Sequence, residues 1–243
     1  MRVLFSVSNH DLVSWYMSAH AQLLIDYAVE QGHEVSILYN DDPQNPARLL
    51  QFEAELQKKP DLLIGLGHGS KSSFTGQDLE VLLKMNVNDD LLSGVKSYLY
   101  SCLTAQELGP SAVDKTCPLY IGYTSDWTFI YNPQYEDRPL DDPWAKAFFD
   151  CGLAPGYGLL AGQAPKDIYE ATLARYDYWY DYWTKENSPM ADDILTWLNW
   201  DKQAFTVLTA DGIYAGAPSP LGIDVQQLLI PAVAGVALFF MLK

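Results

Sequence analysis

Cysteine, histidine and basic residues are all scarce in this chain of 243 residues. It has 3 cysteines and 4 histidines, and 15 Lys and Arg stand against 31 Asp and Glu. A low and odd cysteine count argues against a disulfide framework. Because neither a Cys-x-x-Cys nor a His-x-x-x-His spacing occurs, we predict no structural zinc site, and we expect no metal and no cofactor.

The formal net charge of -16 limits the partners of the chain. A surface this acidic repels phosphate backbones, so we expect no nucleic-acid partner. It also disfavours flat docking on anionic membranes. Hydrophobic residues make up 49% of the chain, which is enough for a sizeable core in one large α/β domain or two small ones.

The two ends of the chain differ. The N-terminal residues 3–7 are typical of a strand rather than a signal peptide, so we predict a cytoplasmic domain. The C-terminal residues 228–242 carry no charge, and as a helix they would span roughly 22 Å, short of a bilayer core. Two interpretations stay open for this apolar helix: packing on the domain or a partner subunit, or anchoring in a membrane.

Prolines at positions 218 and 220 indicate a linker before this apolar tail. We therefore divide the chain into a folded domain over 1–215, a Pro/Gly linker over 216–227 and a tail over 228–243.

Apolar runs alternate with helical patterns in the first half of the chain, which predicts a three-layer α/β/α fold with a mainly parallel central sheet. Strands are expected at 2–7, 34–39, 61–66, 95–101, 119–123 and 204–209. Helices are expected at 15–31, 46–58, 77–85, 105–115, 144–150, 163–185 and 190–200, with a long loop over 127–143.

A histidine and a cysteine follow two of these strands. His68 comes directly after the third strand, and Cys102 follows the fourth. If these strands are adjacent, both side chains reach the same edge of the sheet, where α/β proteins form their sites. A thiolate with an imidazole nearby is the arrangement of nucleophilic catalysis. The amides of Gly69 and Cys102 are the candidate donors to an oxyanion.

The segments LIGLGHGS and YLYSCLTA resemble the corresponding blocks of the caspase-like (clan CD) cysteine peptidases, which include caspases, metacaspases, legumain, gingipains and CHAT domains. PLYIGYTSDW is similar to the segment that lines their substrate pocket. AFTVLTADG is loosely similar to the closing strand of gingipain and CHAT-type members. The resemblance covers about residues 1–215, and only the His-Gly and Ser-Cys blocks are specific.

This resemblance implies a caspase-like fold and a polypeptide substrate. It makes His68 the catalytic base or acid, Cys102 the nucleophile and Gly69 an oxyanion donor. Asp126 becomes the candidate floor of the substrate pocket, with Trp127 beside it and Asp78 as a second choice. An acidic floor implies cleavage after Arg or Lys, although Asp126 is also typical of an ordinary turn.

Other functions remain as alternatives. A caspase-like binding or scaffold protein without proteolysis, anchored through its tail, fits the same strands. A nucleotide enzyme is disfavoured because GLGHGS lacks the G-x-G-x-x-G spacing, and a serine hydrolase because no G-x-S-x-G is present. His10 follows the first strand at the same predicted edge, and we interpret it as a polar loop residue. Cys117 and Cys151 are expected to be buried thiols.

Overall fold

The structure is a computed structural model that describes residues 1–40, 42–215 and 237–240. The strands are β1 (Arg2–Val7), β2 (Glu34–Tyr39), β3 (Leu62–Leu66), β4 (Gly69–Ser70), β5 (Ser73–Thr75), β6 (Val81–Lys84), β7 (Lys96–Tyr100), β8 (Tyr120–Tyr123), β9 (Thr128–Tyr131), β10 (Phe205–Thr209), β11 (Gly212–Ala215) and β12 (Ala237–Phe240). The helices are α1 (Leu12–Glu30), α2 (Leu49–Gln57), α3 (Leu108–Asp114), α4 (Ala145–Leu160), α5 (Pro165–Lys185) and α6 (Ala191–Ala204).

The central sheet has the strand order β11-β10-β8-β7-β3-β1-β2. The pairings from β2 through β8 are parallel, whereas β10 and β11 join antiparallel. The predicted α/β class with a mainly parallel sheet is therefore confirmed. Helices connect most parallel neighbours, but the chain passes from β3 to β7 through the small antiparallel sheet β4-β5-β6.

Side chains alternate along β1 and so reach two separate cores. Val3, Phe5 and Val7 pack in one apolar cluster with residues of α1, α4, α5 and α6. Leu4 packs on the opposite face in a second cluster with residues of α2, α3 and the small sheet. Because both faces are covered, β1, β3, β7 and β8 are buried over most of their length, whereas the edge strand β2 is largely exposed.

Residues 77–85 were predicted to be helical, and this was wrong. They form a short 3-10 turn, Gln77–Leu79, followed by β6, which pairs with β5. Asp78 and Leu79 have φ angles of 53° and 62°, which an α-helix does not accept. A short apolar run such as VLLK does not distinguish strand from helix by its periodicity.

The region after β8 is more regular than expected. The predicted loop over 127–143 contains β9, and the short helix predicted at 144–150 continues to Leu160 as α4. Pro155 and three glycines lie inside this helix. Close packing explains the continuation, because a Cβ at Gly152 would lie 2.0 Å from the hydroxyl of the buried Tyr100.

Little of the predicted linker and apolar tail falls within the described residues. Ala237–Phe240 form β12, which pairs antiparallel with β9, so these four residues are a strand rather than part of the expected helix. A free strand edge such as that of β9 favours this pairing. Residues 216–236 and 241–243 lie outside the described part. Over the ranges that the structure describes, no helix combines the length and hydropathy needed to cross a membrane.

Replacing Gly152 by Ala tests the contact between α4 and the sheet. We expect the free energy of unfolding to fall by about 1–3 kcal/mol, because the overpacking against Tyr100 outweighs the helix propensity gained. Gly212→Ala is the control, since its Cβ would meet no atom within 4 Å. Urea denaturation measures both variants, and equal stabilities would contradict this packing.

Candidate active site

The pairing of β3 with β7 sets the strand ends before the predicted histidine and cysteine side by side. Their parallel register sets Leu66 opposite Tyr100, and the Gly67 amide donates to the Tyr100 carbonyl at 3.4 Å. Continued by two further residues, this register would set His68 opposite Cys102. The alternation of a strand turns both side chains to the same face. The prediction that these two strands are neighbours is confirmed.

Gly69 allows the two strand ends to approach closely. A Cβ at this position would lie 2.6 Å from the carbonyl oxygen of Cys102 and 2.9 Å from the Ser101 hydroxyl oxygen. Only glycine fits such a contact without moving the backbone. The oxyanion role of the Gly69 and Cys102 amides stays a prediction.

Asp11 is the residue that the sequence reasoning missed. Its Oδ1 accepts hydrogen bonds from the Ser14 amide at 2.8 Å and the Ser14 hydroxyl at 2.7 Å, which caps the start of α1. Its Oδ2 lies 2.6 Å from Nε2 of His68. The start of α1 therefore fixes a carboxylate that orients the imidazole. The available signal was that Asp11 follows β1, whose carboxyl end lies at the same edge.

The charge of Asp11 decides which nitrogen of His68 holds a proton. Burial raises the pKa of Asp11, but hydrogen bonds from His68 and Ser14 outweigh it and hold that pKa well below the usual range. An ionised carboxylate only accepts hydrogen bonds, so Nε2 of His68 is the donor. Nδ1 is buried and has no hydrogen-bond partner among the described residues. In the neutral imidazole, this nitrogen carries the free lone pair.

His10 lies beside this pair, at the edge where the sequence put it. Its ring centroid is 5.5 Å from that of His68, and its Nε2 is 3.6 Å from Oδ2 of Asp11. Burial lowers the pKa of His10 and outweighs the attraction of Asp11.

The thiol of Cys102 is closed off from solvent. The residue has no accessible surface, its Sγ accepts from the Trp127 amide at 3.2 Å, and its S–H points to the Trp127 carbonyl at 3.6 Å. Burial raises the pKa of Cys102 well above its usual value, and the carboxylate of Asp126 adds to this effect. In this conformation the sulfur is a neutral thiol that a substrate does not reach.

The predicted substrate-binding residues lie next to this thiol. The side chain of Trp127 is fully buried and packs against Tyr100, Phe129 and Phe149, so it faces the core rather than a pocket. Asp126 is half-buried, and its carbonyl accepts from the Trp200 indole at 2.7 Å. Their substrate-binding role stays a prediction.

Asp78, the second choice for a pocket floor, lies between β5 and β6, whereas Asp126 lies after β8. Its carboxylate pairs with Arg48 at 2.5 Å, and half of its side chain is exposed. The ion pair with Arg48 accounts for the carboxylate of Asp78, so no substrate-binding role is needed to explain it.

Asp201 of α6 supports the segment that closes the thiol. It is fully buried, and its Oδ1 accepts from the Thr128 amide at 3.1 Å, one residue after Trp127. Burial raises the pKa of Asp201 well above its usual value. Together with Trp200, Asp201 holds both ends of the segment Asp126–Thr128 on α6.

No family model and no curated protein sequence matches this chain. Its function is therefore argued from its own residues.

We expect all three thiols to be protected in the native protein. Cys102, Cys117 and Cys151 are buried, as predicted for the last two, and burial raises each pKa. Iodoacetamide should therefore modify each of them at least about tenfold more slowly than in the urea-unfolded chain. Peptide mass spectrometry measures each rate. Rapid modification of native Cys102 would contradict the closed site.

The ionisation of Asp201 should make the protein less stable as the pH rises. Above pH of about 4 the unfolded chain releases this proton, while the folded state keeps it because the folded pKa is raised. The free energy of unfolding should then fall by up to about 1.4 kcal/mol per pH unit relative to Asp201→Asn. Denaturation of both proteins at pH 5 and pH 7 measures this difference. Parallel pH profiles would contradict a buried neutral Asp201.

Proposed function

We propose that this chain is a caspase-like cysteine endopeptidase, with Cys102 as nucleophile, His68 as general base and Asp11 as the residue that orients His68. One observation carries the proposal. Asp11 engages Nε2 of His68 and leaves Nδ1 without a partner, at the strand end that adjoins Cys102. A nucleophile beside a base that is oriented by a third group is the pattern of covalent catalysis.

The reaction follows from these positions. Nδ1 of His68 takes the thiol proton of Cys102 as Sγ attacks the carbonyl carbon of the substrate peptide bond. The amides of Gly69 and Cys102 stabilise the oxyanion. The C–N bond then breaks, and the imidazolium returns its proton to the leaving amine. Water hydrolyses the thioester, with His68 accepting a proton from the water and passing it to the departing sulfur.

The described conformation is a latent one under this proposal. The Trp127 amide donates a hydrogen bond to the Cys102 sulfur, and the Trp127 carbonyl accepts one from it. The Ser125 carbonyl also accepts from the Leu103 amide at 3.1 Å, which ties the same segment to the cysteine loop. Catalysis requires residues 124–128 to move away from Sγ, so the contacts of this segment with α6 control access.

The preferred substrate has a basic residue before the cleaved bond. Asp126 adjoins the nucleophile, and a protein with a net charge of -16 attracts cationic peptides. The tail over 228–242 would attach the enzyme to a membrane or to a partner subunit in the cytoplasm once β12 separates from β9. Both statements are parts of the proposal.

A second candidate is a caspase-like binding or scaffold protein that does not cleave peptides. The buried and neutral thiol favours this function, because a cysteine of that kind is chemically inert. Here His68 and Asp11 would serve only to fix the start of α1 against the sheet.

Two electrophiles distinguish the candidates. An acyloxymethyl ketone carrying Arg requires a working site, whereas iodoacetamide requires only an exposed thiol. Both electrophiles reach Cys102 only when the segment 124–128 opens. The ratio of their labelling rates at Cys102 therefore does not depend on how often this segment opens. For an enzyme we expect His68→Ala to lower this ratio by about 100-fold or more.

Matched variants complete the test. Asp11→Asn keeps a capping side chain but loses the charge, and it should lower the ratio as well. His33→Gln is the control, since His33 precedes β2 at the opposite edge of the sheet. Replacing Arg by Asp in the ketone tests the basic preference. A ratio that is equal in the wild type and His68→Ala would exclude the peptidase and support the scaffold.

A further inference from the structure

Three side chains at the carboxyl ends of β1 and β3 converge on one point. His10, Asp11 and His68 each offer one ligand atom, and these atoms all lie within 4.8 Å of one another. Two imidazole nitrogens and one carboxylate oxygen form a donor set that suits zinc and similar divalent transition metals.

The hydrogen bonds of these residues are incomplete. Both ring nitrogens of His10 are buried and have no hydrogen-bond partner among the described residues. The side chains of His10 and His68 are only 12% and 11% exposed. Buried polar atoms normally find a partner, so an unpartnered imidazole next to a carboxylate calls for a ligand that accepts lone pairs.

We propose that His10, Asp11 and His68 bind a divalent transition-metal ion of the zinc class, through one nitrogen of each histidine and Oδ2 of Asp11. Tetrahedral bonds of about 2.1 Å separate neighbouring ligand atoms by about 3.4 Å. Nε2 of His10 and Oδ2 of Asp11 are 3.6 Å apart, close to this value. Nε2 of His68 is 2.6 Å from the same oxygen, so that pair must separate by less than about 1 Å.

The metal replaces the proton that Nε2 of His68 shares with Asp11. A neutral histidine binds a metal through one nitrogen and keeps its proton on the other, so this proton moves from Nε2 to Nδ1 of His68. Three protein ligands leave a fourth position for water, since zinc is usually four-coordinate.

The metal would regulate the proposed peptidase, and this consequence rests on the proposed function. A neutral imidazole with a metal on Nε2 carries its proton on Nδ1. Nδ1 is the atom that must accept the proton of Cys102. His68 therefore cannot act as the base while the metal ion is bound. The metal-bound enzyme is inhibited although the metal does not contact the thiol.

Metal binding to the full chain is measured directly, without substrate. Titration calorimetry with Zn²⁺, together with the absorption spectrum of Co²⁺, should show one site in the wild type. His10→Gln and Asp11→Asn should each weaken this site by at least about tenfold, because each loses a ligand. His33→Gln should leave the affinity unchanged. Asn at position 11 still caps α1, so this variant should fold, and a thermal melt verifies it.

The outcomes separate the two proposals. Equal Zn²⁺ affinity in the wild type, His10→Gln and Asp11→Asn, or no binding by the wild type, would overturn the metal site. In another outcome, the wild type binds Zn²⁺ as expected while its Cys102 labelling ratio does not depend on His68. That result would support the metal site and exclude the peptidase. If both hold, Zn²⁺ should slow labelling by the Arg ketone in the wild type and not in His10→Gln.

Discussion

The parallel hydrogen bonding of β3 with its neighbours β1 and β7 is the constraint on which the candidate site depends. It ends three strands at one edge, where Asp11 and His68 are in contact and Cys102 follows the neighbouring strand end. Each strand is buried on both faces, which leaves its register little freedom, because a shift by one residue would turn its apolar side chains the wrong way. The site is thus positioned by the core rather than by its loops.

The proposed catalysis and the described packing make opposite demands on Cys102. Covalent catalysis needs an accessible thiolate, whereas the packing around Cys102 favours a neutral, enclosed thiol. The enclosure comes from the backbone at Trp127, and α6 holds that backbone through Trp200 and Asp201. Access to the sulfur is therefore tied to the packing of a helix far along the chain. Such a device suits an enzyme that is kept inactive until its closing segment is moved.

The sequence predicts the sheet and the pairing of its functional strands better than it predicts the site. Buried parallel strands have long apolar runs, so the sequence predicts β3 and β7 and the positions of His68 and Cys102 after them. The strand β6 was missed because a four-residue apolar run fits either structure. Asp11 and the closure by Trp127 were missed for another reason. Both depend on contacts between residues far apart in sequence, which no local pattern encodes.

The orientation of His68 by Asp11 serves both proposed activities, since either a proton or a metal ion can occupy Nε2. The proposed peptidase depends on the side-by-side placement of His68 and Cys102, and nuclear Overhauser spectroscopy on selectively labelled protein tests this placement most directly. Cross-peaks should connect the β protons of Cys102 with those of His68, because neighbouring parallel strands lie about 4.8 Å apart. Cross-peaks from Cys102 to Trp127 alone, with none to His68 or Gly69, would contradict the account.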